Sequence, residues 1–455
     1  MRKEPERRRR GRSELETRTE NRLGAAWQGA LPCGASLLVQ QYLLENGLRV
    51  LLVEDHAAPV VAYHTWFRVG SRHEQPGKTG LAHLLEHMMF NEFEGVKAGE
   101  FDRRMEQAGA ETNAATSFDW TYYYEQVPSS QLGLVIDLEA NRMGRMILRE
   151  EPFRSELEVV TNERRSSVDD DVDGAVSETL YALAYTAHAY RNPTIGHLAD
   201  IAGLTREDCE GFWRTYYAPN NATIVVAGSF DEIRVMKRIA ERYAYLDRME
   251  SPVEDVHPEP PQAGERRETM RKPSSTEKVA LGYHAPAFGD VDHAPLQLMC
   301  DILFGGRSSR VHRSLVQQRE IAVDARGYAG AFAEPGLLEM QLTAREGHGC
   351  DELLEALDKE IARVVAEPVT EAELDRAKAR EELGLVRGME TCGGKAEQVA
   401  FFDVMLGDPC GAMNRLERLR KTTRTDLLRA ARRYLRQEAR TVVNVLPNGS
   451  PKVIS

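Results

Sequence analysis

The sequence predicts an α+β fold of two similar domains, each a mainly antiparallel sheet covered by helices, related by internal duplication. Three observations point there. A chain of 455 residues is too long for a single hydrophobic core. A Pro-rich, charged segment at 250–275, "ESPVEDVHPEPPQAGERRETMRKPSS", has linker composition and divides the chain into two domain-sized parts. Both parts then run through one order of elements: strands, a helix, long helical patterns and a closing β-branched strand.

Taken in order, residues 1–38 open with "MRKEPERRRRGRSELETRTENR". That stretch is basic, lacks the apolar core of a secretion signal, and is expected to be a disordered tail. The first domain, 39–249, begins with strand-like "NGLRVLLVED" and "PVVAYHTWFRVG" and closes on "YYAPNNATIVVAGSF", a turn followed by a β-branched strand. After the linker, the second domain, 276–455, begins with "EKVALGYHAP" and helical "APLQLMCDILFGG". It continues through the long helical patterns "GCDELLEALDKEIARVVAEP" and "TEAELDRAKAREELGLVRGM" and closes on "YLRQEARTVVNVLP". Strands and long helices in each half make helices covering a sheet the expected architecture.

Bulk composition narrows the function classes. Hydrophobic content of 42% with 29% charged residues describes a soluble globular chain, and no run is long enough to cross a bilayer. A net charge of −12 argues against a nucleic-acid partner despite the basic start. The six cysteines, Cys33, Cys209, Cys300, Cys350, Cys392 and Cys410, show no CxxC spacing. They imply neither a disulfide framework nor a thiolate zinc site. Reduced thiols and a cytoplasmic location are expected, with the periplasm as the alternative if a targeting segment precedes the fold.

The chemistry concentrates in "GLAHLLEHMMF", residues 80–90. On a helix, His83 and His87 stand one turn apart on one face, so both imidazoles reach one metal ion. Glu86 lies beside them, close enough to act on a water in an open fourth position without being a ligand. Catalytic zinc takes three protein ligands and one water, and a general base next to that water completes a hydrolytic site. The pattern HxxEH is the reversed form of the HExxH zinc signature. A further ligand is offered by the helical stretch "EPFRSELEVVTNERRSSV". Glu156 and Glu163 there are seven residues apart on nearly one face, and Glu158 points away. One of the two can ligate while the other supports it from behind.

These motifs resemble the pitrilysin/insulinase family of zinc endopeptidases, which includes mitochondrial processing peptidase. The likeness extends to "GSRHEQPGKTGLAHLLEHMMF", "GAETNAATSFDWTYYYEQVP", "AYRNPTIGHLADIAGLTREDCEGFWRTYYAPNNATIVVAGSFD" and, in the second half, "DILFGGRSSRVHRSLVQQREIA". It implies one zinc per chain, held by His83, His87 and Glu163, which stands 76 residues beyond His87. It also implies Glu86 as the base and Glu156 as the supporting acid. Alternating small and polar residues make Asn113 to Thr116 read as a sheet edge open to strand addition, and in the family this edge holds the substrate. Asn113 and Ala114 are therefore the expected substrate contacts. Tyr122, Tyr123 and Tyr124 are expected in sheet packing, His188 and His197 as hydrogen-bonded structural histidines, and "RRSSVDDDVDG" and "RRRRGR" as exposed charge.

One departure from the family pattern bears on partners. Members that act alone carry in the second half an Arg and, seven residues on, a Tyr that hold the substrate carbonyl and the oxyanion. Here those positions are Val316 and Val323. The expected active form is thus a heterodimer with a homologous, metal-free subunit that supplies the missing pair, acting on unfolded peptides. The alternatives are a non-catalytic scaffold subunit, or a self-sufficient monomer or homodimer in which Arg319 or Tyr328 serves as donor.

Overall fold

The computed structural model describes residues 24–34, 37–250 and 257–448. The "RRRRGR" run and the linker residues 251–256 lie outside the described residues. The first sheet contains β1 (Ala25–Cys33), β2 (Leu37–Leu44), β3 (Arg49–Glu54), β4 (Val60–Phe67), β5 (Glu111–Thr116), β6 (Thr121–Pro128) and β7 (Ala222–Gly228), in the order β1-β2-β3-β7-β4-β6-β5. The second contains β8 (Arg266–Lys272), β9 (Lys278–His284), β10 (Ala322–Ala329), β11 (Leu337–Ala344) and β12 (Arg440–Pro447), in the order β10-β11-β9-β12-β8.

Counted from β3 and from β8, the two halves place their strands in one order: first, last, second, fourth, third. Each also has its parallel pair in the same place, β3 with β7 and β8 with β12. The architecture is therefore the expected α+β fold of two like halves.

The first sheet takes in residues ahead of the expected start at 39. The hairpin β1–β2 buries Ala25, Cys33, Val39, Tyr42 and Leu44. A register shift between Trp27 and Gly29, where Gly29 has φ 132, breaks the period-two pattern that would have announced a strand. Strand β8, "RRETMRK", falls inside the expected linker. It is an edge strand bonded only through β12, so it needs little apolar side chain to be held.

Each sheet has helices of its own half on one face, around the two large apolar cores. The other faces are covered by an exchange. From the first half, Val176 and Leu180 of the helix Val172–Ala184 pack on Ala280, Val443 and Val445 of the second sheet. From the second half, Ala396, Val399 and Ala400 of the helix Cys392–Leu406 pack on Leu51, Val53, Ala62, Trp66, Val225 and Ala227 of the first sheet. This is why β7, "ATIVVAG", is buried at every residue and reads as a continuous apolar run.

Charges flank the second of these contacts. Asp403 is 2.9 Å from Arg49 and 3.0 Å from Arg68, and Lys395 pairs with Asp55.

The expectation of uniformly reduced thiols is corrected here. Cys33, at the end of β1, and Cys410, just beyond the helix Cys392–Leu406, form a disulfide across a sequence separation of 377. No local spacing could announce it, because only the helix exchange brings the two together. The other described cysteines are free. A cross-link closing so long a loop typically contributes about 2–4 kcal/mol. Reductant should lower the thermal midpoint of the wild-type chain and leave that of a Cys33→Ser, Cys410→Ser variant unchanged, as read by circular dichroism.

Candidate functional site

The helix Leu81–Met88 forms because Leu81, Ala82, Leu84, Leu85 and Met88 bury one side of it in the first core. Its N-terminus is closed by a remote carboxylate. Glu74 accepts hydrogen bonds from the Gly80 N–H at 3.0 Å and the Ala82 N–H at 2.7 Å, satisfying two donors that no turn of the helix can reach. Burial pushes the Glu74 carboxyl up to about 8 against the pull of those N–H groups. Gly80 has φ 89, and a Cβ there would stand 2.6 Å from the Ile195 carbonyl oxygen, so the entry to the helix requires glycine.

On the other side of this helix the His83 and His87 rings lie 4.8 Å apart between centroids. The helix Glu150–Arg164 brings Glu163 to both of them. One of its oxygens is 3.2 Å from His83 Nε2 and 3.4 Å from His87 Nε2. The three candidate ligand atoms all fall within 4.8 Å of one another, and among the described residues this is the one such group of three. Zinc with ligands at its usual distances sets tetrahedral donors about 3.3 Å apart, so the donor set fits that ion. Glu156 stands 3.4 Å from His87 Nδ1 and accepts a hydrogen bond from the Asn91 amide at 3.1 Å. It backs the imidazole on the side away from Glu163, while Glu158 is exposed.

Glu86 is only 8% exposed. Its Oε2 lies 3.7 Å from His83 Nδ1 and accepts a hydrogen bond from the Thr116 hydroxyl at 2.5 Å. Strand β5 is the sheet edge beside the site, bonded only to β6, with Asn113 opposite Tyr124 and Ala114 opposite Tyr123. Asn113 is exposed, and its side-chain oxygen accepts the Ala114 N–H at 2.9 Å. Tyr123 is buried and shares a hydrogen bond with Tyr217, while Tyr122 and Tyr124 stack along the sheet.

His188 accepts the Tyr190 N–H at 3.1 Å, and His197 faces Glu178 at 3.3 Å. Glu178 also holds Arg164 at 2.6 Å, next in sequence to Glu163. The His197 backbone N–H meets the Thr79 hydroxyl just ahead of the helix Leu81–Met88. Thr116 and His197 are anticipated only as an edge-strand residue and a hydrogen-bonded histidine; the contacts of Glu74, Thr116 and the Arg164–Glu178–His197 brace with the site have no signature in the sequence. Helical phase could not have found them, because each acts from a different element.

In the second half the helices His293–Phe304 and Glu371–Arg387 hold the equivalent places. Between them and β10 lies a cavity of about 290 Å³, with Arg380 paired to Asp301 at 2.8 Å where the first half gathers its histidines. Val316 packs against the second core, and Val323 is 53% exposed on β10. Arg319 lies 3.8 Å from Glu352 of its own half, and Tyr328 is 60% exposed at that cavity.

Residues 49–197 match the family described as insulinase (peptidase family M16), and residues 203–381 match the peptidase M16 inactive domain. The zinc protease PqqE of Helicobacter pylori is 31% identical over 430 residues, covering 91% of this chain and 96% of that one. The chain belongs to peptidase family M16. A solved structure of a protease from Helicobacter pylori superposes with a TM-score of 0.86 at 28% identity, over 90% of this chain and 99% of the other. The fold also matches the periplasmic protease PqqL of Escherichia coli with a TM-score of 0.76 at 19% identity, over 92% of this chain but 48% of that longer one.

The M16 site has a marked electrostatic state without metal. Burial alone would lower His83, but hydrogen bonds and charge from Glu163 and Glu86 outweigh it and hold its pKa at about 9. His87 is likewise held at about 9, its burial outweighed by Glu156 and Glu163. Hydrogen bonds from both histidines keep Glu163 well below the usual carboxylate range. Both imidazoles are therefore protonated at neutral pH in the metal-free chain, and a metal must displace those protons. Apparent zinc affinity should rise from pH 6 toward pH 9 and level off above it, with proton release on binding. Chelator competition and calorimetry in buffers of different ionisation enthalpy check this.

Proposed function

We propose that this chain is the metal-bearing, catalytic subunit of a zinc endopeptidase that hydrolyses extended, unfolded peptides. The observation that carries the reading is the combination at one place of three donor atoms at zinc spacing and a non-ligating carboxylate, Glu86, beside a free sheet edge. His83, His87 and Glu163 would hold the ion, which when bound supplies the Lewis acidity that makes water nucleophilic near neutral pH. Glu86 takes the proton from the attacking water and delivers it to the leaving amine. A substrate strand adding to β5 meets Asn113 and Ala114, so an extended chain binds and a folded core does not. Relatives named zinc proteases support the assignment.

The oxyanion of the tetrahedral intermediate needs preorganised donors, and losing one costs about 10²–10³ in rate. Val316 and Val323 supply none, and Arg319 is turned to Glu352. The proposed active form is therefore a heterodimer in which a homologous, metal-free subunit contributes them. The PqqL chain is longer, this one matching 48% of it, so that protein holds this fold within a larger unit. A scaffold role is the lesser reading, because a chain that only binds has no use for the intact set His83, Glu86, His87 and Glu163. We propose an oxidising compartment, in which the Cys33–Cys410 disulfide persists.

Three variants test the chemistry. Glu86→Gln should retain one zinc per chain and lose turnover of a fluorogenic peptide; near wild-type cleavage would refute the base assignment. His83→Ala with His87→Ala should abolish stoichiometric zinc. Glu156→Gln should cost about 10–100-fold in zinc affinity or activity, as removal of a group behind a ligand does. For the partner, this chain assayed alone should be slow and should gain activity when co-expressed with a homologous chain that lacks HxxEH. High activity alone would overturn the heterodimer.

A further inference from the structure

We infer that Thr116 is a positioning residue for Glu86, fixing the base to the strand that receives the substrate. The inference rests on the role of Glu86 proposed above. A glutamate on a helix has several rotamers, and in this site two groups compete for its carboxylate. His83 Nδ1 lies 3.7 Å from Glu86 Oε2, and the Thr116 hydroxyl donates to the same oxygen at 2.5 Å. At 2.5 Å the hydroxyl is far closer to Oε2 than His83 is, so the hydroxyl determines where the carboxylate sits. It fixes Oε2, the oxygen that also faces His83 Nδ1.

The hydroxyl is itself held in place. Thr116 is β-branched and stiff about χ1, and it ends β5 directly opposite Thr121. The Thr121 hydroxyl is buried, donates to the Val69 carbonyl at 2.9 Å and stands 3.4 Å from the Thr116 oxygen. The sheet, rather than the metal helix, therefore sets the position of the base. Asn113 and Ala114 lie on the same strand, so the base and the bound peptide share one rigid reference. Catalysis depends on such registration, since a displacement of about 1 Å can cost about 10²-fold in rate.

Thr116→Val keeps the shape and the β-propensity of the residue and removes only the hydroxyl, while Thr116→Ser restores it. The experiment uses the full chain, with its partner subunit if activity requires one. In Thr116→Val, kcat should fall about 10–100-fold, with KM, zinc stoichiometry and zinc affinity unchanged. Thr116→Ser should recover most of kcat. In a Glu86→Gln background, where there is no base to place, Thr116→Val should change nothing further. Wild-type kcat in Thr116→Val, a rise confined to KM, or a serine variant as slow as the valine one would each overturn the inference while leaving the base role of Glu86 intact. Retained activity in Glu86→Gln alone would instead overturn that role.

Discussion

Each sheet has two apolar faces, and the helices of its own half cover only one. Everything else in this molecule follows from how the second faces are buried. The helix Val172–Ala184 crosses to the second sheet and the helix Cys392–Leu406 crosses to the first. Each fully buried side chain of Val or Leu size contributes about 1.5–3 kcal/mol, so neither half can give up the borrowed helix and stay covered. The two domains are consequently joined through buried apolar contact on both sheets. Cys33–Cys410, Asp403 with its two arginines and Lys395–Asp55 all sit around one of the exchanged helices.

The exchange also reaches the candidate metal site. Glu163 stands near the end of its helix, and after Arg164 the chain widens through Arg165–Asp169 into the helix that crosses over. Arg164 is tied to Glu178 on that crossing helix, and Glu178 to His197, whose backbone meets Thr79 just ahead of the helix Leu81–Met88. The two elements that carry the candidate donor atoms are thus braced through a third, and that third packs on the opposite sheet. Such bracing matters because the site gathers Glu86, Glu156 and Glu163 around two imidazoles. Without a metal, the protonated imidazoles, each at about 9, face Glu163, whose carboxylate they hold ionised. A divalent cation replaces both protons at no cost in charge.

What the sequence announced and what it hid divide along a physical line. Features set by local periodicity were legible: His83 and His87 one turn apart, Glu156 and Glu163 two turns apart, the edge character of β5 and the repeated strand–helix order. Helical phase alone could not choose between Glu156 and Glu163, and the family resemblance had to decide. Features set by long-range packing left no local trace. The disulfide joins residues 377 apart, and the Thr116–Glu86 bond links a strand to a helix 30 residues earlier. Strand β8 has no apolar alternation because an edge strand needs none, and β1 hides its alternation behind the break at Gly29. Strands β1 and β8 accordingly fall within the expected tail and linker.

The two halves share a strand order and an exchanged helix, yet among the described residues only the first half gathers a group of three candidate metal donors. The fold makes this divergence cheap. His83, Glu86 and His87 lie along the side of their helix that faces away from the packed residues Leu81, Leu84, Leu85 and Met88. Burying Glu86 is a cost that its hydrogen bond to Thr116 only offsets, so the core gains nothing from it. In the second half the helix His293–Phe304 keeps an apolar core side, with Asp301 and Arg380 paired beside it instead. A copy of this unit can therefore lose its metal ligands and keep its fold, as the match of residues 203–381 to an inactive M16 domain illustrates. The ion pairs of Glu163 with His83 and His87 tie two helices of the first half together. Buried Glu86 adds nothing to the core, and its place beside that donor set is what packing alone does not explain.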